Sequence, residues 1–349
     1  MDNLELQKFI GNDRMTVSET MQKIGGNTCG VLFISNSHNK LLGCVTDGDI
    51  RRFLLAGGQM TDCVINAINS KPKVAKSVEE AKKMYHQKYV VAVPIIDKDG
   101  KIVGIYSDNE VFQKKHNAIN IPVVINAGGK GTRLDPFTRV LPKPLIPVGE
   151  LPIIEHIMKE YQSYCCDEFH IIVNYKKDLI KAYFADNDNH YNITWYDEEK
   201  PLGTGGGLSL LRGRFNDTFF FANCDALLTA NYESMLHFHK KNENVITMIC
   251  AYKNINIPYG VVEMGVNGSI EEMKEKPLIS FLTNTGIYIV EPEIINDIED
   301  GVPMGFPDII ELERKKGKKV AVFPVNEKDW MDMGQLPELE KMRIKMYGE

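Results

Sequence analysis

One stretch, Val123-Val124-Ile125-Asn126-Ala127-Gly128-Gly129-Lys130-Gly131-Thr132-Arg133-Leu134, constrains this chain more than any other. The β-branched run reads as a strand buried on both faces. Three glycines in the next four residues after Ala127 leave backbone N–H groups bare, so anionic oxygens can approach without meeting side chains. Arg133 adds a planar cationic fork suited to phosphate. Two common phosphate loops are excluded by spelling. A P-loop needs Ser or Thr after Gly129-Lys130, where Gly131 stands, and a dinucleotide fingerprint begun at Gly129 needs a glycine at Leu134.

Beyond this loop, strand and helix patterns alternate. Ile154, Ile157, Met158 and Tyr161 mark one helix face. Phe169–Val173, Thr218–Phe221 and Val245–Ile249 read as further buried strands. The alternation predicts an α/β domain with a largely parallel sheet, whose ligands sit at the carboxyl ends of the strands.

Lys143 follows Thr132 by eleven residues within Leu141-Pro142-Lys143-Pro144-Leu145, where prolines predict an extended, stiffened segment that aims one lysine into a site. Gly-Gly-x-Gly-Thr-Arg-Leu-x-Pro-x-Thr followed by Pro-Lys-Pro-Leu resembles the signature of the sugar-1-phosphate nucleotidyltransferases. The resemblance runs from about Pro122 to at least Gly334 and implies a Rossmann-like nucleotidyltransferase domain with a mixed, mostly parallel sheet over 122–349. It also assigns roles. Ala127, Gly128, Gly129, Gly131 and Thr132 would cradle the nucleotide. Glu199, Gly203 and Thr204, in Glu199-Lys200-Pro201-Leu202-Gly203-Thr204-Gly205-Gly206, would meet its base and sugar. Asp225, in Asn223-Cys224-Asp225, and Asp332, in Trp330-Met331-Asp332-Met333-Gly334, would hold Mg²⁺. Cys224 stands where the family carries glycine. Tyr259, Gly260, Glu275, Lys276 and Asn284 resemble the elements that bind the sugar phosphate.

The implied reaction joins a nucleoside triphosphate to a sugar 1-phosphate and releases pyrophosphate. The nucleophile is already an anion, so the obstacle is repulsion between two anions, met by positioning and charge neutralisation. Arg133 would hold the leaving phosphates, Lys143 the α-phosphate and Lys276 the sugar phosphate. Mg²⁺ takes one or two carboxylates and completes its octahedron with phosphate oxygens and water.

The first third repeats itself at an offset of 61 residues, with Gly43 over Gly104 and Val17 over Val78. Each copy reads as helix, strand, turn, strand, and a polar turn opening a second helix, with Lys98-Asp99-Gly100 as a hairpin turn. Stacked copies bury faces that neither buries alone. Gly43–Arg52 resembles the nucleotide-contacting segment of a CBS domain, and the pair a Bateman module over 1–118, with repeats of about 1–60 and 61–118. The resemblance puts the ribose of an adenine nucleotide on Thr46 and Asp49, and on Ser107 and Glu110 in the second copy. Thr46 and Asp49 also read as a plain helix cap. CBS pairs serve as dimerisation surfaces, which implies a homo-oligomer. A CBS pair ahead of this transferase resembles the guanylyltransferases of legionaminic acid biosynthesis, and so implies GTP and glucosamine 1-phosphate.

The net charge of −6 counts against nucleic acid or an anionic membrane as partner. No apolar run approaches the roughly 18 residues of a membrane helix, and the N-terminus lacks the pattern of a signal peptide. Seven cysteines without a C-x-x-C pair fit reduced thiols in a cytoplasmic protein. Two other readings compete with the enzyme: a nucleotide-sensing regulator on a surviving transferase fold, and transfer to a non-sugar phosphate.

Overall fold

The computed structural model describes residues 7–27, 29–85, 90–107, 118–185 and 191–347. It divides into two compact units, one of Met1–Gln113 with Tyr252–Phe281 and one of Lys114–Ala251 with Leu282–Glu349. The block expected over 122–349 contributes Tyr252–Phe281 to the first unit. Its inserted arm carries Tyr252 into the apolar core around Val17, Ile24, Leu32 and Val45. Ser18 Oγ fixes the arm further, standing 3.1 Å from Asn254 Oδ1 and 2.8 Å from Ser280 Oγ.

Within the first unit, the expected order holds for the first copy: helix Val17–Gly25, strands Val31–Ser35 and Leu41–Thr46, helix Asp47–Leu55. Thr16 starts the first helix with a capping box closed by Glu19, which satisfies two end N–H groups reciprocally. The second copy supplies helix Val78–Tyr85 and strands Val93–Ile96 and Ile102–Tyr106, with Gly100 at φ +81° in the hairpin turn. The helix expected to follow, with Glu110, lies outside the described residues. The copies meet where Leu41 N–H donates to Gly100 O at 3.0 Å, and Phe9, Val31, Phe33 and Ile105 bury a shared core.

The second unit is built on a seven-stranded sheet. Its order is Asn192–Asp197, Glu168–Val173, Val123–Asn126, Phe219–Asn223, Leu278–Val290, Ile246–Asn256 and Val320–Val325. The first four strands run parallel, Phe219–Asn223 pairs antiparallel with Leu278–Val290, and Ile246–Asn256 pairs parallel with Val320–Val325. The sheet is thus mixed and mostly parallel, as expected. Strand residues point alternately to opposite faces. Val123, Ile125, Phe220 and Ala222 face one core, while Val124, Phe219, Phe221 and Tyr288 face the other. Helix Ile153–Gln162 buries Ile154, Ile157, Met158 and Tyr161, the face read from the sequence.

Candidate active site

The glycine loop leaves the carboxyl end of strand Val123–Asn126 and is tied back at once. Ala127 N–H donates to Ile172 O at 2.8 Å, and Thr138 Oγ1 donates to Gly131 O at 3.1 Å. Gly131 sits at φ +65°, and a Cβ there would lie 2.9 Å from Lys143 Cβ. Glycine is needed here both for its backbone angle and for the close pass of Lys143. Gly129, Thr132 and Arg133 are exposed, whereas Ala127 and Gly128 are buried.

Lys143 does not lie in a plain extended segment. Pro142 is extended, but Lys143–Leu145 closes a 3-10 turn with Leu145 N–H on Pro142 O at 2.9 Å. The prolines therefore set the entry angle, and the turn buries the lysine stem to 8% exposure. Its ammonium donates to Asp225 Oδ2 in an ion pair whose side chains are 11% and 16% exposed.

Asp225 and Asp332 converge through backbone pairing. The short strands Ala226–Leu228 and Trp330–Asp332 run antiparallel with Ala226 opposite Asp332. Gly334 N–H donates to Asp332 Oδ1 at 2.9 Å. Burial, and next the neighbouring Asp225 charge, push the Asp332 carboxyl above the usual range, while Lys143 and Arg133 pull it back. Two carboxylates and two cations thus share one electrostatic neighbourhood beside the glycine loop. Oxygen donors of this kind, close enough that the Asp225 charge raises the proton affinity of Asp332, fit a hard divalent cation. Cys224 is tolerated because its backbone is not left-handed, and burial pushes its thiol up to about 12.

The loop expected at the base lies next to the glycine loop: Asn126 Nδ2 donates to Gly203 O at 3.3 Å. Gly203 has φ +79°, and the Thr204 hydroxyl accepts from Phe306 N–H at 2.9 Å, capping the helix that follows. Glu199 is exposed. Its neighbour Glu198, which sequence reasoning passed over, is the buried one at 4%, and burial pushes its carboxyl up to about 7 against an amide hydrogen bond from Leu202. The signal was present: carrying the strand's period of two on from the buried Tyr196 aims Glu198 inward.

Asn284 donates to Tyr288 Oη at 2.6 Å and accepts from Gly286 N–H at 2.9 Å. A Cβ on Gly286, at φ +77°, would lie 2.5 Å from Asn223 Nδ2, so this segment abuts the Asn223-Cys224-Asp225 turn. Tyr259, Gly260, Glu275 and Lys276 fall instead on the arm grouped with the first unit. There Tyr259 is 74% exposed, Lys276 has φ +45°, and a Cβ on Gly260 would lie 3.0 Å from Glu275 Oε2.

In the first unit, Thr46 and Asp49 form a reciprocal capping box. Asp49 N–H donates to Thr46 Oγ1 at 3.3 Å, Thr46 N–H to Asp49 Oδ2 at 2.9 Å, and the Thr46 hydroxyl to Asp49 Oδ2 at 2.6 Å. Arg52 pairs with the other Asp49 oxygen. The groups expected on a ribose are engaged with each other. Ser107 Oγ, by contrast, is shielded from solvent and has no hydrogen-bond partner among the described residues.

A glycine loop after a parallel strand, beside paired carboxylates and a buried lysine, is a setting for phosphate-bearing ligands at the carboxyl end of an α/β sheet. The chain belongs to the nucleotidyl transferase family, whose profile it matches over residues 122–346, and a CBS domain profile matches 73–117. It is 30% identical over 240 residues to a UTP–glucose-1-phosphate uridylyltransferase of Synechocystis, covering 62% of this chain and 60% of that protein. It is 32% identical over 232 residues to a mannose-1-phosphate guanyltransferase of Aspergillus oryzae, covering 61% and 60%. The chain thus spans about 60% of the length of these relatives. The fold matches HddC from Yersinia pseudotuberculosis at a TM-score of 0.51 and 22% identity, covering 64% of this chain and 99% of that one. Among the described residues, no helix is long and apolar enough to cross a membrane.

Proposed function

We propose that this protein is a sugar-1-phosphate nucleotidyltransferase that joins GTP to glucosamine 1-phosphate or a related hexose phosphate and releases pyrophosphate. One observation carries the reading: Lys143, Asp225 and Asp332, far apart in sequence, lie within one charged neighbourhood beside the glycine loop, with Arg133 in electrostatic reach. A cavity for two anionic reactants needs such a set, and a fold kept only to sense a nucleotide does not.

In this reading the bared amides of Gly128, Gly129 and Gly131 receive the triphosphate, and exposed Arg133 closes over the leaving phosphates. Lys143 exchanges part of its contact with Asp225 for an α-phosphate oxygen and offsets the charge that builds there. Asp225 and Asp332 would hold Mg²⁺, which supplies Lewis-acid neutralisation of the same oxygens. Lys276 and Glu275 meet the phosphate and hydroxyls of the sugar, and Asn284 lines its pocket. The N-terminal pair takes an adenine nucleotide, and the chain works as a homo-oligomer. Support for assembly comes from Val262, Met264, Ile270 and Met273, which share one exposed apolar face of the hairpin Val261–Lys274.

The deciding test is pyrophosphate release from four nucleoside triphosphates crossed with a panel of sugar 1-phosphates, with Mg²⁺. Turnover is expected to be highest with GTP and glucosamine 1-phosphate. No release with any pair would reject the enzyme reading.

A further inference from the structure

The single-turn helix Phe137–Val140 lies between the glycine loop and Lys143, and the sequence that follows keeps it from satisfying its own carbonyls. Leu141 N–H donates to Phe137 O at 3.0 Å. Continued as a helix, the chain would satisfy Thr138 O from residue 142 and Val140 O from residue 144. Both residues are proline and carry no N–H. The two prolines that set the entry angle of Lys143 therefore orphan the carbonyls just ahead of it.

Lys176 supplies the missing donors. Its ammonium donates to Thr138 O at 3.4 Å, to Arg139 O, and to Val140 O at 2.9 Å, which matches its three donors to three carbonyls. Beside it, the Tyr175 hydroxyl donates to Thr138 O at 3.2 Å, and Tyr175 N–H donates to Gly128 O at 3.4 Å. Lys176 has φ +51°, a left-handed backbone that a non-glycine residue keeps only where its surroundings impose it. It lies just past the carboxyl end of strand Glu168–Val173, the sheet neighbour of the strand that launches the glycine loop. Thr138 passes the anchorage on. Its hydroxyl holds Gly131 O at 3.1 Å, and Gly131 in turn passes close against the stem of Lys143.

We propose that Lys176 is a positioning residue for nucleotidyl transfer, fixing the glycine loop and Lys143 relative to one another by capping the carbonyls between them. The inference rests on the nucleotidyltransferase reading and adds a residue outside the motifs that carry it. With its donors engaged on carbonyls, Lys176 acts through Lys143 and the loop rather than on a phosphate. The leaving phosphates on the loop and the α-phosphate on Lys143 must stay in line with the nucleophile. A misplacement of about 1 Å in such a constellation can cost on the order of 10² in rate.

The test compares Lys176→Met and Lys176→Gly in the full chain with Mg²⁺, using GTP and glucosamine 1-phosphate or the pair that turns over fastest. Both variants lose the three donors. Glycine adopts a left-handed backbone without strain, so Lys176→Gly should melt at a higher temperature than Lys176→Met. Despite that difference, kcat should fall by about 10² in both. KM for the sugar phosphate should stay within about threefold, because the lost alignment acts on the transfer step. GTP affinity, read by calorimetry without sugar phosphate, should weaken about tenfold, the equivalent of roughly one hydrogen bond to phosphate. Lys177→Met is the control: it removes the same charge from an exposed pair with Asp197 and should leave kcat within about twofold. A kcat near that of the unaltered protein in either folded variant overturns the proposal. So do rates that follow the melting temperatures of the two variants, as a purely structural lysine would give. If Lys176→Met fails to fold, Lys176→Gly decides alone. If the unaltered protein releases no pyrophosphate from any pair, the enzyme reading is rejected, and GTP affinity alone decides: weakened in the variants, it supports the anchoring role of Lys176, and unchanged, it overturns it.

Discussion

The amide of Met333 donates to the carbonyl of Asp225 at 2.9 Å, locking together two segments that each carry an acidic residue aimed at the same place. With Ala226 in register opposite Asp332, the carboxylates are brought together by a main-chain ladder rather than by any affinity between side chains. Their repulsion is therefore built in by the fold of the main chain.

That repulsion has a sign that can be measured. Folding raises the Asp332 carboxyl above the ordinary carboxylate value, chiefly by burial and next by Asp225. A carboxyl raised by folding binds its proton more tightly in the folded chain. It therefore weakens folding above the raised value, and the penalty disappears as pH falls below the unfolded value. Asp332→Asn should raise the melting temperature of the metal-free protein at pH 7.5. A gain of about 1 kcal/mol corresponds to roughly 2–4 °C for a domain of this size. The gain should shrink as pH falls through the ordinary carboxylate range. Mg²⁺ should stabilise the unaltered protein and have little effect on the variant. Scanning calorimetry at two pH values, with and without Mg²⁺, reads all of this; a loss of stability in Asp332→Asn at pH 7.5 would refute the account.

Lys143 makes the complementary case. Lys143→Ala removes the cation expected at the α-phosphate, and loss of one preorganised donor commonly costs on the order of 10² to 10³ in rate. It also leaves the half-buried Asp225 without its partner, so some stability should be lost. Loss of one partner from a fully buried pair costs about 3–5 kcal/mol, an upper bound here because both side chains keep some exposure. Steady-state pyrophosphate release and far-ultraviolet circular dichroism separate the two effects. Turnover near the unaltered rate in a folded Lys143→Ala would remove this residue from the chemistry.

The contrast between these residues and Glu198 shows what one-dimensional reading can reach. Val123–Ile125 and the face Ile154, Ile157, Met158 and Tyr161 were legible because periodicity is local and burial follows it. Arg133, Lys143 and Asp225 were legible because an ordered motif ties their types to one chemistry. Three things were not. The 3-10 turn at Lys143–Leu145 depends on a hydrogen bond that two prolines permit but do not announce. The grouping of Tyr252–Phe281 with the first unit depends on contacts such as that of Ser18 with Asn254, between segments remote in sequence. Of the adjacent pair Glu198 and Glu199, the motif pointed to the second, while tertiary packing buried the first.

Gly131 tests the loop without touching a charge. Gly131→Ala would force a side chain into a left-handed backbone and set its Cβ 2.9 Å from Lys143 Cβ and 3.0 Å from Thr138 Cγ2. Strain of about 1–3 kcal/mol is the usual cost of such a backbone. A displacement of the lysine of about 1 Å can by itself cost 10²-fold in rate. Gly129→Ala is the control, since a Cβ there meets nothing within 4 Å. Its melting temperature should stay within a degree or so of the unaltered protein, because surface substitutions of this kind lie within about 0.5 kcal/mol. Equal melting temperatures for the two variants would show that the close approach of Gly131 to Lys143 carries no energetic weight.

In the first unit, one pair of groups can either cap a helix or hold a ribose. The Thr46 hydroxyl donates to Asp49 Oδ2 at 2.6 Å and accepts from the Asp49 amide at 3.3 Å. A ribose would have to displace part of this box, and its hydroxyls can replace the bond lost to Asp49. AMP is the right probe because it carries no triphosphate for the transferase site. In the unaltered protein AMP should raise the melting temperature in proportion to its occupancy. Thr46→Ala should lower stability by about 1 kcal/mol through loss of the cap alone, and should abolish the AMP shift. Thr46→Ser keeps the hydroxyl and should restore both. If Thr46→Ala costs the cap energy while AMP shifts neither protein, the pair is a helix cap only, and the N-terminal unit binds no adenine nucleotide through these residues.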